Sequence, residues 1–303
     1  MEQRYYSLNT YCKETFGQKI YRLSINGGMT CPNRDGKLST YGCYFCSEGG
    51  SGDFASNSSL SITAQLEQAK EKISAKANCH KFIAYFQAYT NTYAPIDYLE
   101  KIFTEAINHP DVIVLSIATR SDCLSDEVIE LLSKLNKIKP VWVEIGLQTI
   151  HNITLQEMNT HTTVQMFDDV TKKLQNTGMK VIAHLILGFP NETKEMIFES
   201  VKHLSSLNIW GVKLQLLHVL KNTKLADIYS KKPFPIMELD EYCQLIVNCL
   251  ELLPKKTVIH RITGDGPRKI LIAPLWSTDK KRVLNTINKK LKEENTYQGR
   301  LVK

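Results

Sequence analysis

Three cysteines, Cys31, Cys43 and Cys46, lie within the stretch TCPNRDGKLSTYGCYFC (30–46). Thiolates at such spacing can converge on one soft metal centre. A structural zinc site needs four ligands, so Cys12, Cys79 or His80 would have to complete it. Three ligands with an open position suit catalytic zinc, or an iron–sulfur cluster with one iron left for substrate or cofactor. The tail of the loop, SEGGSGDF (47–54), offers no good fourth ligand. Spacing alone leaves zinc, a cluster and unrelated buried thiols all open.

The elements that must hold these residues recur with a regular rhythm. Short runs rich in β-branched and aromatic residues read as strands: IYRLSI (20–25), KFIAYFQ (81–87), VIVLSIAT (112–119), VWVEIGLQ (141–148), KVIAHLILGF (180–189) and GVKLQLLHV (211–219). Amphipathic segments alternate with them at about 62–77, 96–108, 163–177 and 193–207, and in LSDEVIELLSKLNK Ser125 is an expected N-cap. Nearly continuous apolar strands between such helices predict a parallel sheet covered on both faces. The expected fold is α/β, a partial (β/α)6 TIM-like barrel over residues 1–225 with the cysteine loop at 26–54; a doubly wound open sheet is the alternative. Residues 226–303 change rhythm and are expected to form a basic α+β extension packed on the barrel, with a helix at 237–253, a strand at 258–263 and a last helix around 280–292. Chemistry in such folds belongs at the carboxyl ends of the strands.

The chain has 303 residues, 43% hydrophobic and 23% charged, ordinary for a globular protein. No run of eighteen apolar residues appears, and the first residues lack the marks of a signal peptide. The expected compartment is the cytoplasm, with no membrane partner, where the eight cysteines are reduced thiols or metal ligands in preference to disulfides. From Pro254 to Lys303, 13 Lys and Arg face 4 Asp and Glu, a net of +9 that leaves −2 for the rest of a chain whose total is +7. So confined a basic surplus fits either a polyanion-docking surface or a solvated helix face.

A cysteine loop after the first barrel strand, with Phe45 just before the last cysteine, resembles the radical S-adenosylmethionine superfamily. The ordered motifs INGGMTCPNRDG…GCYFC, AYFQAYTNTYAP, SIATRSDCL, VEIGLQT, HLILGFP, KLQLLHVLKNT and VIHRITGDGP…LIAPLWS are similar to the YhcC/YtqA-type branch, which is related to the radical domain of the Elongator catalytic subunit. The resemblance runs from about Tyr11 to Gln298. It implies that Cys31, Cys43 and Cys46 hold three irons of a [4Fe-4S] cluster and that S-adenosylmethionine chelates the fourth. Reduction by a cellular electron donor would then release a 5′-deoxyadenosyl radical, which takes a hydrogen atom from substrate.

The same resemblance implies cofactor contacts at the strand ends: Gln87, Thr119, Arg120, Asp122, Glu144, Gln148, Leu187 and Gly188. It implies a tRNA substrate, with conversion of 5-carboxymethylaminomethyl-uridine at the wobble position to 5-aminomethyl-uridine, and a downstream tRNA methyltransferase acting on the product. Alternatives are a radical enzyme acting on a small metabolite or protein side chain, and a non-enzymatic zinc-stabilised RNA-binding protein. Relatives carry an Asn-Arg pair after the fourth strand where this chain reads EMNTHTT; Thr160 stands in place of the Arg, so either another cation such as Arg120 takes its part or the contact is missing here. His260, Arg261, Asp265 and Arg268 are expected at the substrate entrance, with Lys280, Lys281 and Arg282 on the RNA side. Tyr89, Tyr93, Trp210 and Trp276 could stack on bases or simply pack. Cys243 and Cys249 suit core packing, and Cys123 lies near the expected radical site.

Overall fold

The computed structural model describes residues 3–50, 57–74, 79–264 and 266–302. Seven parallel strands form one sheet in the order β1 (Tyr21–Ile25), β2 (Phe82–Phe86), β3 (Val112–Thr119), β4 (Val141–Gln148), β5 (Lys180–Leu187), β6 (Gly211–Leu216) and β8 (Val258–Arg261). The sheet curls into a half-barrel. Between its strands run α2 (Ile62–Ser74), α3 (Ile96–Asn108), α4 (Asp126–Asn136), α5 (Asn152–Glu157), α6 (Val164–Asn176) and α7 (Lys194–Ser206). Among the described residues, no helix is long and apolar enough to cross a membrane.

Local chemistry explains the helix starts. Ser125, Thr163, Thr193 and Asp279 each accept a hydrogen bond from the backbone N–H three residues on, a cap contributing about 1 kcal/mol. Val128, Leu131, Leu132 and Leu135 of α4 are buried together, as their spacing predicts.

Each strand turns alternate residues outward to the helices and inward to the barrel. Leu23, Ile25, Phe82, Phe86, Leu115, Ile117, Val143, Ile145, Ala183, Leu185 and Leu214 face outward into the main core. The inward positions form layers. At the amino ends, Ile83, Val114, Trp142, Ile182 and Val258 pack on Tyr11 and Cys12 of α1 (Leu8–Phe16), an apolar plug that seals the barrel bottom. Cys12 is thereby placed at the end opposite the cysteine loop.

Beyond Leu216 the chain forms a two-stranded ribbon, β7 (Val219–Leu220) with β9 (Leu271–Ala273), and α8 (Lys224–Lys231). The helices α9 (Leu239–Glu251) and α10 (Lys280–Glu293) cover the outside. Residues after Leu225 also contribute β8, which pairs with β6 through Gly211 and Val258. The C-terminal segment is therefore part of the barrel sheet as well as packed on it. Val283, Ile287 and Leu291 are the buried face of α10, and Lys280, Lys281, Arg282, Lys289 and Lys292 are exposed on its other side.

Candidate active site

The cysteine loop folds back on itself through its own backbone. Arg34 and Asp35 N–H groups donate to the Cys31 carbonyl at 2.8 and 3.1 Å, and Cys46 N–H donates to the Cys43 carbonyl at 3.0 Å. Arg34 Nη2 donates to the carbonyls of Cys46 and Ser47 at 2.9 and 2.6 Å. Tyr44 is pinned on both sides: its N–H donates to Met158 O at 3.0 Å and its carbonyl accepts from Leu225 N–H at 2.9 Å.

Tyr89 straps the end of the loop, its N–H on Gly50 O at 2.8 Å and its hydroxyl on Glu48 O at 2.7 Å. Gly50 sits at φ +54°, and a Cβ there would lie 2.3 Å from the Tyr89 ring. Gly50→Ala is expected to cost about 1–3 kcal/mol of loop stability and to lower the iron bound after reconstitution. Unchanged iron per protein would show that the strap is dispensable.

Cys31, Cys43 and Cys46 all face one cavity of about 470 Å³. Asn33, fully buried, donates from Nδ2 to Cys43 Sγ at 3.4 Å and to Asn159 O at 2.6 Å. Arg120 places Nη1 4.0 Å from the same sulfur, donates to Thr160 O at 2.8 Å and forks onto Asp122 at 2.8 and 2.9 Å. Thus where the chain carries Thr160, the Arg120 guanidinium reaches its backbone and stands beside the thiols. Burial, then Cys46, pushes the Cys43 thiol up to about 12, while Arg120 and Asn33 favour the thiolate.

These donors suit a thiolate-bound centre. Three thiols on one loop facing one cavity fit an iron–sulfur cluster that leaves one iron for a cofactor. Where they hold one, Asn33 and Arg120 supply the N–H···S bond and positive charge that tune such centres.

Below the thiols, the inward layer of the strands is polar throughout. Glu144, fully buried, accepts from Ser116 Oγ at 2.9 Å, lies 3.3 Å from Arg22 Nη2 and 2.9 Å from His184 Nε2, and pairs with Lys213. Lys213 Nζ also donates to the Tyr85 hydroxyl at 3.0 Å. Burial alone would raise the Glu144 carboxyl, but Lys213 and Arg22 hold it well below the usual carboxylate range. Burial pushes His184 down to about 4 and Lys213 down to about 7, the latter against the pull of Glu144.

Of the residues expected to touch cofactor, Gln87, Thr119, Arg120, Glu144 and Gln148 line this cavity. Gln148 adopts φ +70°, and its side chain lies over Gly146, where a Cβ would come within 2.5 Å of Nε2. Its buried Oε1 has no protein partner. Asp122 stands behind Arg120, outside the lining. Leu187 and Gly188 also lie outside it, and the Leu187 carbonyl accepts from Leu217 N–H at 2.9 Å. Glu144 is buried among four protein partners, which gives it a charge-organising position in the floor.

At the C-terminal segment, Arg261 lines the cavity, together with the neighbouring Gly264, Gly266 and Pro267. His260 departs from the expected entrance position: its Nδ1 is 2.7 Å from Arg22 Nη2 and its ring packs on Trp142 and Trp210. It lies one layer lower, below the cavity. Arg268 is exposed and donates to Thr278 O at 2.9 Å, and Asp265 lies outside the described residues. Tyr89 lines the cavity, while Trp210 packs in the bottom plug and Trp276 packs on Tyr242. The lysines and arginine at 280–282 are on the surface of α10, away from the cavity lining. Sequence reasoning missed Arg22, Tyr85, Ser116, His184 and Lys213. The available signal was a polar residue in the middle of each apolar strand.

A curled parallel half-barrel with a three-cysteine loop over its carboxyl end defines a class, and the sequence comparisons agree. The chain belongs to the radical SAM superfamily, whose family matches residues 34–204, followed by the Radical_SAM C-terminal domain over 209–293. It is 41% identical over 299 residues to the uncharacterized protein YtqA of Bacillus subtilis (strain 168), covering 99% of this chain and 93% of that one. Protein YhcC of Escherichia coli (strain K12) is 32% identical over 262 residues, 86% of this chain and 84% of its own. A tRNA uridine(34) acetyltransferase of Methanocaldococcus jannaschii is 26% identical over 163 residues, 53% of this chain and 30% of that protein. Among solved structures, the archaeal Methanocaldococcus infernus Elp3 superposes with a TM-score of 0.69 at 19% identity, over 92% of this chain and 64% of that one. The protein is a radical SAM enzyme, and the family implies S-adenosylmethionine and a [4Fe-4S] cluster. The zinc-stabilised binding protein is set aside by this membership.

Proposed function

We propose that the protein modifies tRNA at the wobble uridine, converting 5-carboxymethylaminomethyl-uridine to 5-aminomethyl-uridine in the cavity beneath Cys31, Cys43 and Cys46. The observation that carries this reading is one shared chamber: the three thiols, the strand-end polar residues and the buried Glu144–Lys213 layer open onto the same volume. When bound, the cluster and S-adenosylmethionine supply hydrogen-atom abstraction. Asn33 and Arg120 hold and polarise the thiolate side, Gln87, Thr119 and Gln148 offer polar atoms for the cofactor, and the apolar plug under Trp142 closes the far end.

The tRNA reading is supported by two further features. One relative of this chain carries the name tRNA uridine(34) acetyltransferase. The exposed face of α10 presents Lys280, Lys281, Arg282, Lys289 and Lys292, a surface suited to phosphate contacts. A uridine of the anticodon loop would be splayed from the loop to enter the chamber.

Mass spectrometry of tRNA nucleosides is the deciding experiment. Cells lacking the protein are expected to accumulate the carboxymethylaminomethyl form, and the anaerobically reconstituted enzyme to convert it in isolated tRNA. An unchanged nucleoside profile would reject the substrate. For docking, binding of bulk tRNA is expected to weaken steeply with salt, and the variant with Lys280, Lys281 and Arg282 all changed to Ala to lower the log–log salt slope by about 2–3. An unaltered slope would remove α10 from the interface.

A further inference from the structure

The buried layer beneath the thiols holds more positive than negative charge in its central network. Arg22 and Lys213 face the single carboxylate of Glu144, and the two histidines beside them are held neutral, His184 and His260 both being pushed down by burial. Glu144 is already engaged at both oxygens: Oε1 by Ser116 and Arg22, Oε2 by His184 and Lys213. Lys213 is 2% exposed, yet its side chain forms part of the cavity wall. Its ammonium has three N–H donors, of which Glu144 and Tyr85 take two. Arg261, register partner of Lys213 on the next strand, lines the same wall.

A buried ammonium without full compensation is costly and is driven toward its neutral form, as burial drives Lys213, and an anion brought beside it restores the charged form. We propose that Lys213 is a substrate-recognition residue whose ammonium, with Arg261 beside it, receives a carboxylate or phosphate oxygen of the substrate at the deep end of the cavity. This rests on the reading of the cavity as the substrate chamber. The anionic end of the substrate would sit on the barrel floor and its reacting carbon nearer the thiols. Glu144 and Tyr85 hold Lys213 in place, and Glu144 keeps the empty layer from carrying two bare positive charges. A substrate without the anionic group would leave Lys213 unmatched, so the layer selects as well as positions.

The test uses reconstituted protein without turnover. Calorimetry would compare 5-carboxymethylaminomethyl-uridine with 5-methylaminomethyl-uridine, which lacks the carboxylate. Wild type is expected to prefer the carboxylate form by about tenfold or more, and Lys213→Met to reduce that preference to about twofold or less. Arg261→Gln, at a half-buried position, is expected to reduce it by a smaller factor and keeps the test alive if Lys213→Met folds poorly. Equilibrium dialysis of S-adenosylmethionine separates the two carboxylate sources. Variants that lose cofactor binding but keep nucleoside preference would overturn the proposal, as would full preference in both variants.

Failure of the tRNA reading shows itself differently, because neither nucleoside would bind wild type. The subsite is then read with acetate and inorganic phosphate at constant ionic strength against chloride. A rise in melting temperature in wild type that disappears in the Lys213 and Arg261 variants supports anion recognition. No rise in wild type overturns it.

Discussion

Reconstituted anaerobically with iron and sulfide, the wild-type protein is expected to turn brown and to absorb at about 400 nm, and Cys31→Ala, Cys43→Ala and Cys46→Ala each to lose that band. Bound iron should fall by about tenfold or more in each variant, and reductive cleavage of S-adenosylmethionine should become undetectable. The expectation follows from geometry: all three thiols face one cavity, and the loop carrying them is tied by Arg34, Tyr44 and Tyr89. Two internal controls sharpen it. Cys243 and Cys249 are fully buried in α9, so their replacement by Ala should cost about 1 kcal/mol of stability and leave the iron unchanged. Asn33→Ala should keep the cluster but lower its reduction potential, because it removes the N–H···S bond to Cys43. Full cluster retention in any one of the three variants would refute that ligand.

Acid is expected to destabilise the cluster-free protein more steeply than its surface carboxylates explain. His184 has an ordinary value of 6.5 and is pushed down to about 4 by burial, with Lys213 adding to the effect. Between these values the unfolded chain binds a proton that the folded one does not, so lowering the pH favours unfolding. From pH 7 to pH 5 this one group removes about 2 kcal/mol. His260, buried against Arg22, Trp142 and Trp210, acts in the same direction. Glu144 adds its loss only at lower pH, as the pH falls from its ordinary value of 4.5 through its depressed range, and Lys213 acts on the alkaline side, where stability rises above about 7. Urea unfolding at pH 7 and pH 5 would measure this. His184→Gln, whose amide can still donate to Glu144, is expected to recover about 2 kcal/mol of the difference. Identical pH dependence in variant and wild type would show that His184 titrates normally in the fold.

Much of the architecture was legible because parallel strands write it plainly. The runs at 112–119 and 141–148 coincide with β3 and β4, and the segment at 96–108 with α3. Buried on both faces, such strands leave long apolar words, and the helices between them carry a clear 3.6-residue stripe. The helix α1 escaped notice because its buried contribution is small, Tyr11 and Cys12 against a plug supplied by five strands. The ribbon of β7 and β9 is two and three residues long, too short for a period to show. The strand at 258–261 was legible, but its place in the barrel sheet was not, because pairing with β6 is a long-range choice.

For the candidate site, the sequence by itself determined the three-cysteine loop, the strand ends and the confined positive charge, since these are matters of residue type, spacing and count. Tertiary structure alone decided the layer beneath them. Arg22, Tyr85, Ser116, Glu144, His184 and Lys213 come from six different strands, and each looks like an isolated polar interruption in an apolar run. Pleating points all six inward, and only the curl of the sheet brings them within hydrogen-bond reach of one another. The same curl decided the depth of His260: its neighbour Arg261 lines the cavity, while His260 lies one layer lower against Arg22, Trp142 and Trp210, and depth within a barrel is set by how strands from distant parts of the chain pair, not by residue type.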